Sequence, residues 1–170
     1  MTGRPLLFVD VDGVLNPADP WPADGYGHHR LLGHDVLLSP VHGDWLRELA
    51  DTYDLCWATT WQGSANEHLG PLLGLPELPV VTVNRYARQA GDPRIRLAEL
   101  ISGHKWAPLL RHAAGRPFAW VDDVIPPRLV RNSLLRSDRL LLRTDPHQGL
   151  ERHHVDRLLR RPPAPRWRRR

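Results

Sequence analysis

The residue pattern predicts an α/β fold: one Rossmann-like, doubly wound domain with a mainly parallel five-stranded sheet. Three observations lead there. Short apolar runs bounded by turn or polar residues read as buried strands. Amphipathic stretches with helical spacing lie between them. Strands that alternate with helices favour a parallel sheet over an antiparallel one.

The first strand is Pro5 to Val9. Asn16 to Pro40 follows, rich in Pro, Gly and His, and reads as a loop or small insertion. Trp45, Leu46, Leu49 and Ala50 repeat at helical spacing before a second strand, Leu55 to Ala58, and a third, Pro79 to Val83. Arg85 to Arg96 is mostly polar without a clear period, a second loop or small insertion. Leu109, Leu110 and Ala113 mark a helix before the strand Phe118 to Val121; Leu129, Val130 and Leu134 mark another before Leu140 to Leu142. Val155, Leu158 and Leu159 mark the last. In such a sheet a ligand sits beyond the carboxyl ends of the strands, where the strand order reverses.

With 170 residues, 41% hydrophobic and 25% charged, the chain has the composition of one globular domain, expected over residues 1–160. No apolar run approaches a membrane span, and Pro5 to Val9 lacks the flanks of a signal peptide, so a cytoplasmic location is expected. The single cysteine, Cys56, lies in an apolar run and is expected in the core. From Glu151 onward eight Arg face only Glu151 and Asp156, whereas the preceding body carries 15 basic and 17 acidic residues. Residues 161–170, dense in Arg and Pro, are expected to fray as a flexible tail. Such a tail is either a solvated end or a contact for nucleic acid.

At the end of the first strand stands Asp10-Val11-Asp12-Gly13. Two acids two residues apart project the same way from an extended chain, and Gly13 permits a sharp departure. A pair so close invites a cation. Magnesium suits it, because it takes oxygen ligands and bridges to phosphate. The second strand ends in Thr59-Thr60, and Phe118 to Val121 ends in Asp122-Asp123. Between them lies Lys105, the only lysine beside 22 arginines.

This ordered set resembles the four motifs of the haloacid dehalogenase-like (HAD) hydrolases: Asp-x-Asp-Gly, a Thr or Ser, a Lys, and an acidic pair. The likeness spans roughly Leu6 to Val124. It implies a magnesium-dependent phosphatase. Asp10 would be the nucleophile that forms an aspartyl-phosphate, and Asp12 the general acid and then base. Thr59, or alternatively Thr60, would hydrogen-bond the phosphoryl oxygens, and Lys105 would neutralise charge shared by Asp10 and the phosphate. Asp122 and Asp123 would hold Mg2+ with Asp10 and the backbone carbonyl of Asp12.

Other residues are read more plainly. Trp61 follows the Thr pair and is a candidate for the site mouth. Asn16, Asn66 and Arg85 lie in loops after strand ends, and the sequence leaves open whether they reach substrate. Asp145, before Pro146, is expected in a turn. The pairs His28-His29 and His153-His154 are not expected to bind metal, since helical neighbours face apart. The other tryptophans are expected mostly in core.

Many members of the resembling family carry a separate cap domain. Here the intervals Leu15 to Trp45 and Val83 to Lys105 are too short for a full one, so a capless or minimally capped enzyme is expected. An open site admits a phosphorylated macromolecule, and with the basic tail this makes a nucleic-acid end a candidate substrate. Two alternatives stay open: a phosphotransferase with the same intermediate, and a non-catalytic nucleic-acid or protein-binding module. Dehalogenation is disfavoured, because it has no use for Asp12 or magnesium.

Overall fold

The computed structural model describes residues 3–18, 25–83 and 97–165. Arg85 to Arg96, expected as a loop or small insertion, and the last five residues of the tail lie outside them. The central sheet has four strands, β1 (Leu6–Val9), β4 (Asp54–Trp57), β5 (Phe118–Asp122) and β6 (Arg139–Arg143), in the order β4-β1-β5-β6. All neighbours are parallel. Connections leave β1 toward β4 on one side and reach β5 on the other, which makes the carboxyl end of β1 the switch point.

The expected fifth strand is reduced to a bridge. Val80 pairs with Trp57 alone, through Trp57 N–H to Pro79 O and Val81 N–H to Trp57 O, both 2.8 Å. Pro76 and Pro79 have no amide to donate, so the segment runs beside β4 without extending the ladder.

Asn16 to Pro40, read as a loop or small insertion, holds an antiparallel hairpin: β2 (Gly27–Leu31) and β3 (His34–Leu38). Its two-residue turn sets Leu32 at φ 51° and Gly33 at φ 80°, the left-handed pair that matches strand twist. His28, His29 and Arg30 gave little strand signal, and a leucine in a left-handed turn gave none.

Alternation along the strands covers both faces of the sheet. Leu7, Val9, Leu55, Trp57, Ala119, Val121, Leu140 and Leu142 face one core with Leu46 and Leu49 of α1 (Pro40–Ala50) and Val155 and Leu158 of α5 (Arg152–Arg160). Leu6, Phe8, Cys56, Phe118, Trp120 and Leu141 face the other with Leu109 and Ala113 of α3 (Leu97–Ala113). A short π-helix (Ala65–Leu69) leads into α2 (Gly70–Leu73), and α4 (Pro127–Leu134) joins β5 to β6. Gly43 of α1 lets α2 approach closely: a Cβ there would stand 2.1 Å from Leu73 O.

The tail does not leave the body at residue 161. Pro163 is buried and Ala164 N–H donates to Ser137 O at 2.8 Å, so the chain stays packed through these residues. Two prolines with fixed φ lower the cost of ordering this short segment. Among the described residues, no helix is long and apolar enough to cross a membrane.

Candidate active site

Parallel register brings the strand ends to one edge: Val9 pairs with both Trp57 and Val121. Asp10 therefore leaves β1 directly beside Asp122 at the end of β5. Its amide donates to Val121 O at 3.1 Å, and its Oδ1 accepts the Val11 amide at 2.8 Å. Lys105 of α3 reaches in from the Leu109 face and joins the two acids, its Nζ 2.5 Å from Asp10 Oδ2 and 2.7 Å from Asp122 Oδ2. All three side chains are buried.

Burial pushes the Asp10 carboxyl up to about 7, against the pull of Lys105 and with the push of Asp122. For Lys105 burial pulls downward, but the charges of Asp10 and Asp122 more than reverse it and hold the ammonium protonated. Asp123 is raised by burial first and by Asp10 second. Oxygens of Asp10, Asp122 and Asp123 lie within 4.8 Å of one another. Asp122 is the best satisfied of the three: its Oδ2 also accepts Trp120 Nε1 at 3.2 Å, and its Oδ1 accepts Val124 N–H at 2.9 Å.

Gly13 makes this cluster possible. Its φ is 74°, and a Cβ added there would lie 2.5 Å from Asp123 Cγ. Thr144, after β6, fixes the same turn through a buried hydroxyl that donates to Gly13 O at 2.8 Å. Sequence reasoning passed over Thr144; its place directly after a strand was the available signal.

The carboxylate of Asp12 stands apart from the three-acid group, where only its backbone carbonyl was expected to serve the cation. Oδ1 accepts Asn16 Nδ2 at 2.9 Å and Oδ2 accepts Trp61 Nε1 at 3.0 Å. Asn16 Oδ1 in turn accepts the Leu37 amide of β3 at 2.9 Å, which ties the hairpin to Asp12. Trp61, a candidate for the site mouth, thus stands beside Asp12.

Of the two threonines, Thr60 is the one that lines the pocket. That pocket, about 280 Å³, is bounded by Asp10, Asp12, Thr60, Lys105 and Asp123 among others. Thr59, expected as the phosphate ligand, is fully buried, and its Oγ1 accepts the Trp61 amide at 3.3 Å. The strand ends at Trp57, so the chain is already turning at Thr59 and its side chain is drawn inward.

Asn66 does not reach the pocket. Its amide accepts from Trp57 Nε1 (2.8 Å) and Leu78 N–H (3.0 Å) and donates to Leu78 O (2.8 Å), pinning the bridge segment beside β4. Arg85 lies outside the described residues. Asp145 forms the expected turn, its Oδ1 accepting His147 N–H at 2.8 Å. Cys56 is core, its thiol pushed up to about 12 by burial.

His153 and His154 do not face apart as the helical rule predicts. Their ring centroids are 3.8 Å apart, and with Glu151 they form a second group of close ligand atoms. They occupy the first turn of α5, where His154 Nδ1 accepts the Glu151 amide at 3.1 Å in a capping box.

Residues 6–155 match the family described as the HAD domain in Swiss Army Knife RNA repair proteins. The chain belongs to this family. The match runs from the first residue of β1 into α5 and so contains the whole acidic cluster, Lys105 and the hairpin. No curated protein matches the chain.

Proposed function

We propose that the chain is a magnesium-dependent phosphohydrolase that removes phosphate from RNA ends through an aspartyl-phosphate on Asp10. The observation that carries this is the Lys105 ammonium held between Asp10 and Asp122, with Asp123 completing a three-carboxylate group at the switch point of a parallel sheet. The RNA substrate rests on the description of the family, whose proteins act in RNA repair.

The donor set fits Mg2+. Three carboxylates with close oxygens, one of them only partly enclosed, offer hard ligands at the wall of a pocket wide enough to leave room for water and phosphate. Asp10 and Asp123 would hold the ion with the backbone carbonyl of Asp12. Asp122, whose oxygens already accept from Lys105, Trp120 and Val124, orients Lys105 and closes the group from behind. Bound there, the cation would draw charge from the phosphoryl oxygens and offset repulsion between substrate and acids.

The chain's own residues then divide two displacements between them. An Asp10 carboxylate oxygen attacks phosphorus while the bond from phosphorus to the leaving oxygen breaks, and Asp12 gives that oxygen its proton. Water next attacks phosphorus, Asp12 takes its proton, and the bond to Asp10 breaks to release inorganic phosphate. Lys105 balances the charge on Asp10 throughout, and Thr60 donates to a phosphoryl oxygen. The Arg-rich end adds sequence-independent affinity for the polyanion.

The test is phosphate release from oligoribonucleotides carrying a 3′- or 5′-phosphate, with Mg2+ or with a chelator, in the absence of any acceptor alcohol. Asp10→Asn should abolish release with the fold intact. Asp12→Asn should slow it by roughly 10²–10⁴-fold, the usual worth of a positioned acid–base group. Full activity in Asp10→Asn, or transfer of the phosphoryl group to a supplied alcohol with no inorganic phosphate released in its absence, would overturn the reading.

A further inference from the structure

The acid assigned to the leaving oxygen is held from two sides by side chains outside the acid, threonine and lysine motifs. Asn16 Nδ2 donates to Asp12 Oδ1 at 2.9 Å, and Trp61 Nε1 donates to Asp12 Oδ2 at 3.0 Å. We propose that Asn16 and Trp61 are the positioning residues of Asp12, fixing its carboxylate where it can give the leaving oxygen a proton. The inference rests on the phosphohydrolase reading and deepens it.

Asp12 needs such a hold. It is exposed on the turn beyond β1, where an aspartate side chain is otherwise free to choose among its rotamers. One donor on each oxygen fixes both of its side-chain torsions. So fixed, Asp12 lines the pocket that contains Asp10 and Thr60, and also a neighbouring cleft of about 400 Å³ formed with Val36 and Trp61. It stands where the two hollows join, beside the nucleophile and outside the three-acid group.

The direction of each donor is set independently of Asp12. Asn16 Oδ1 accepts the Leu37 amide of β3 at 2.9 Å. A backbone N–H can only donate, so Oδ1 must face β3 and Nδ2 must face Asp12. The backbone of Asn16 is tied into the same turn, its N–H donating to Val11 O at 2.9 Å and its carbonyl accepting Gly13 N–H at 2.8 Å. Trp61 has one side-chain donor, and its ring packs against the core that contains Leu46 and Trp57. The next residue, Gln62, has φ 51° and is pinned by Nε2, which donates to Thr59 O (3.0 Å) and Val83 O (3.2 Å). A braced turn and a hairpin thus meet at one carboxylate.

Magnitudes tie this hold to rate. A positioned acid–base group is worth roughly 10²–10⁴ in rate, and a misplacement of about 1 Å can cost ~10²-fold. Both donors are neutral, so they set direction without supplying a counter-charge, whereas Lys105 supplies one to Asp10 and Asp122. Losing either donor should therefore weaken proton delivery and leave the nucleophile and its lysine in place.

The experiment uses the full chain with Mg2+ and a series of substituted phenyl phosphates of similar size. A good leaving group such as 4-nitrophenolate departs without a proton, whereas a poor one needs the acid. The readout is kcat/KM, which covers the steps up to that departure and excludes the later attack by water. Trp61→Phe removes the indole N–H, and Asn16→Asp keeps an acceptor for Leu37 while removing the donor. Each should lower kcat/KM for the poorest leaving group on the order of tenfold and barely change it for 4-nitrophenyl phosphate, a split that misfolding cannot produce. Added to Asp12→Asn, Trp61→Phe should cause no further loss, because no acid is left to position. Without turnover, the Trp61 indole N–H resonance, assigned through Trp61→Phe, should move in Asp12→Ala. Equal losses across the series, losses that multiply in the double variant, or an unmoved resonance would overturn the positioning role while the phosphohydrolase reading stands. A parent chain that hydrolyses no member of the series would sink that reading and the role with it.

Discussion

Gly13 and Asp123 occupy adjoining space that no side chain can share: a Cβ on Gly13 would lie 2.5 Å from Asp123 Cγ and 2.6 Å from its Oδ2. The turn after β1 and the acid after β5 are therefore built to one fit. Gly13→Ala should displace Asp123 and cost both stability and the magnesium response. Gly115→Ala is the comparison, because Gly115 has φ 84° with nothing within 4 Å. It should show backbone strain alone, about 1–2 kcal/mol. Chemical denaturation with and without Mg2+ measures both. Equal losses and equal magnesium responses would show that Asp123 gives way freely.

Lys105 is the buried counter-charge of Asp10 and Asp122. Lys105→Met keeps much of the volume and leaves the two carboxylates facing each other. Breaking such a pair typically costs roughly 3–5 kcal/mol. Added Mg2+ should restore more stability to this variant than to the parent chain, since the ion then supplies the missing positive charge. Denaturant midpoints at neutral pH across a magnesium series test this; a loss below that range with no larger magnesium effect would contradict it.

His154 makes stability fall with acid. Burial, then the charges of His153 and Arg157, lower its folded pKa from 6.5 to about 4. The unfolded chain therefore takes up a proton first, so the stability is fully present above about 6.5 and is lost as pH falls from there toward 4. His42, lowered by burial, acts in the same direction. Asp10 opposes both: its folded pKa, raised to about 7, favours the folded state as pH falls below that value. The clean measurement is thus a difference, in which His154→Asn flattens the slope of unfolding free energy between pH 6.5 and 4. A slope unchanged by the substitution would show that the imidazole titrates alike in both states.

The Arg-rich end is proposed to act through charge alone. A chain cut after Pro165 keeps the hydrogen bond of Ala164 to Ser137 and removes Arg166, Arg168, Arg169 and Arg170. Its turnover of a small phosphate ester should match that of the full chain. Its affinity for single-stranded RNA should fall, and the slope of log K against log salt should flatten by about 0.7 for each phosphate that an arginine no longer neutralises. An unchanged slope would leave the end as a solvated terminus.

Much of the site was legible because its residues follow strands. Asp10, Asp122 and Asp123 each come directly at or after an apolar run, and a parallel sheet gathers such positions at one edge. Lys105 stood out only as the lone lysine, and nothing local says that α3 carries it 2.7 Å from Asp122. The choice between Thr59 and Thr60 was not legible, since it turns on where β4 stops within one residue. The hairpin was not resolved because its first strand is polar and its turn places a leucine at positive φ. The pairing of His153 with His154 was missed because a helix N-terminus does not obey the spacing rule of its interior.

What the sequence by itself determined is the alternation of the four central strands with α1, α3, α4 and α5, the apolar runs that the sheet buries, and the acids placed at strand ends. Those follow from local alternation of polar and apolar residues. Only the tertiary structure decided which groups meet: Asp12 with Trp61 and Asn16, Asn66 with Trp57, and the Thr144 hydroxyl with the Gly13 carbonyl. The reason is physical. Burial of apolar side chains depends on a periodicity written along the chain, whereas a hydrogen bond between residues 49 or 131 positions apart depends on the packing of several elements at once.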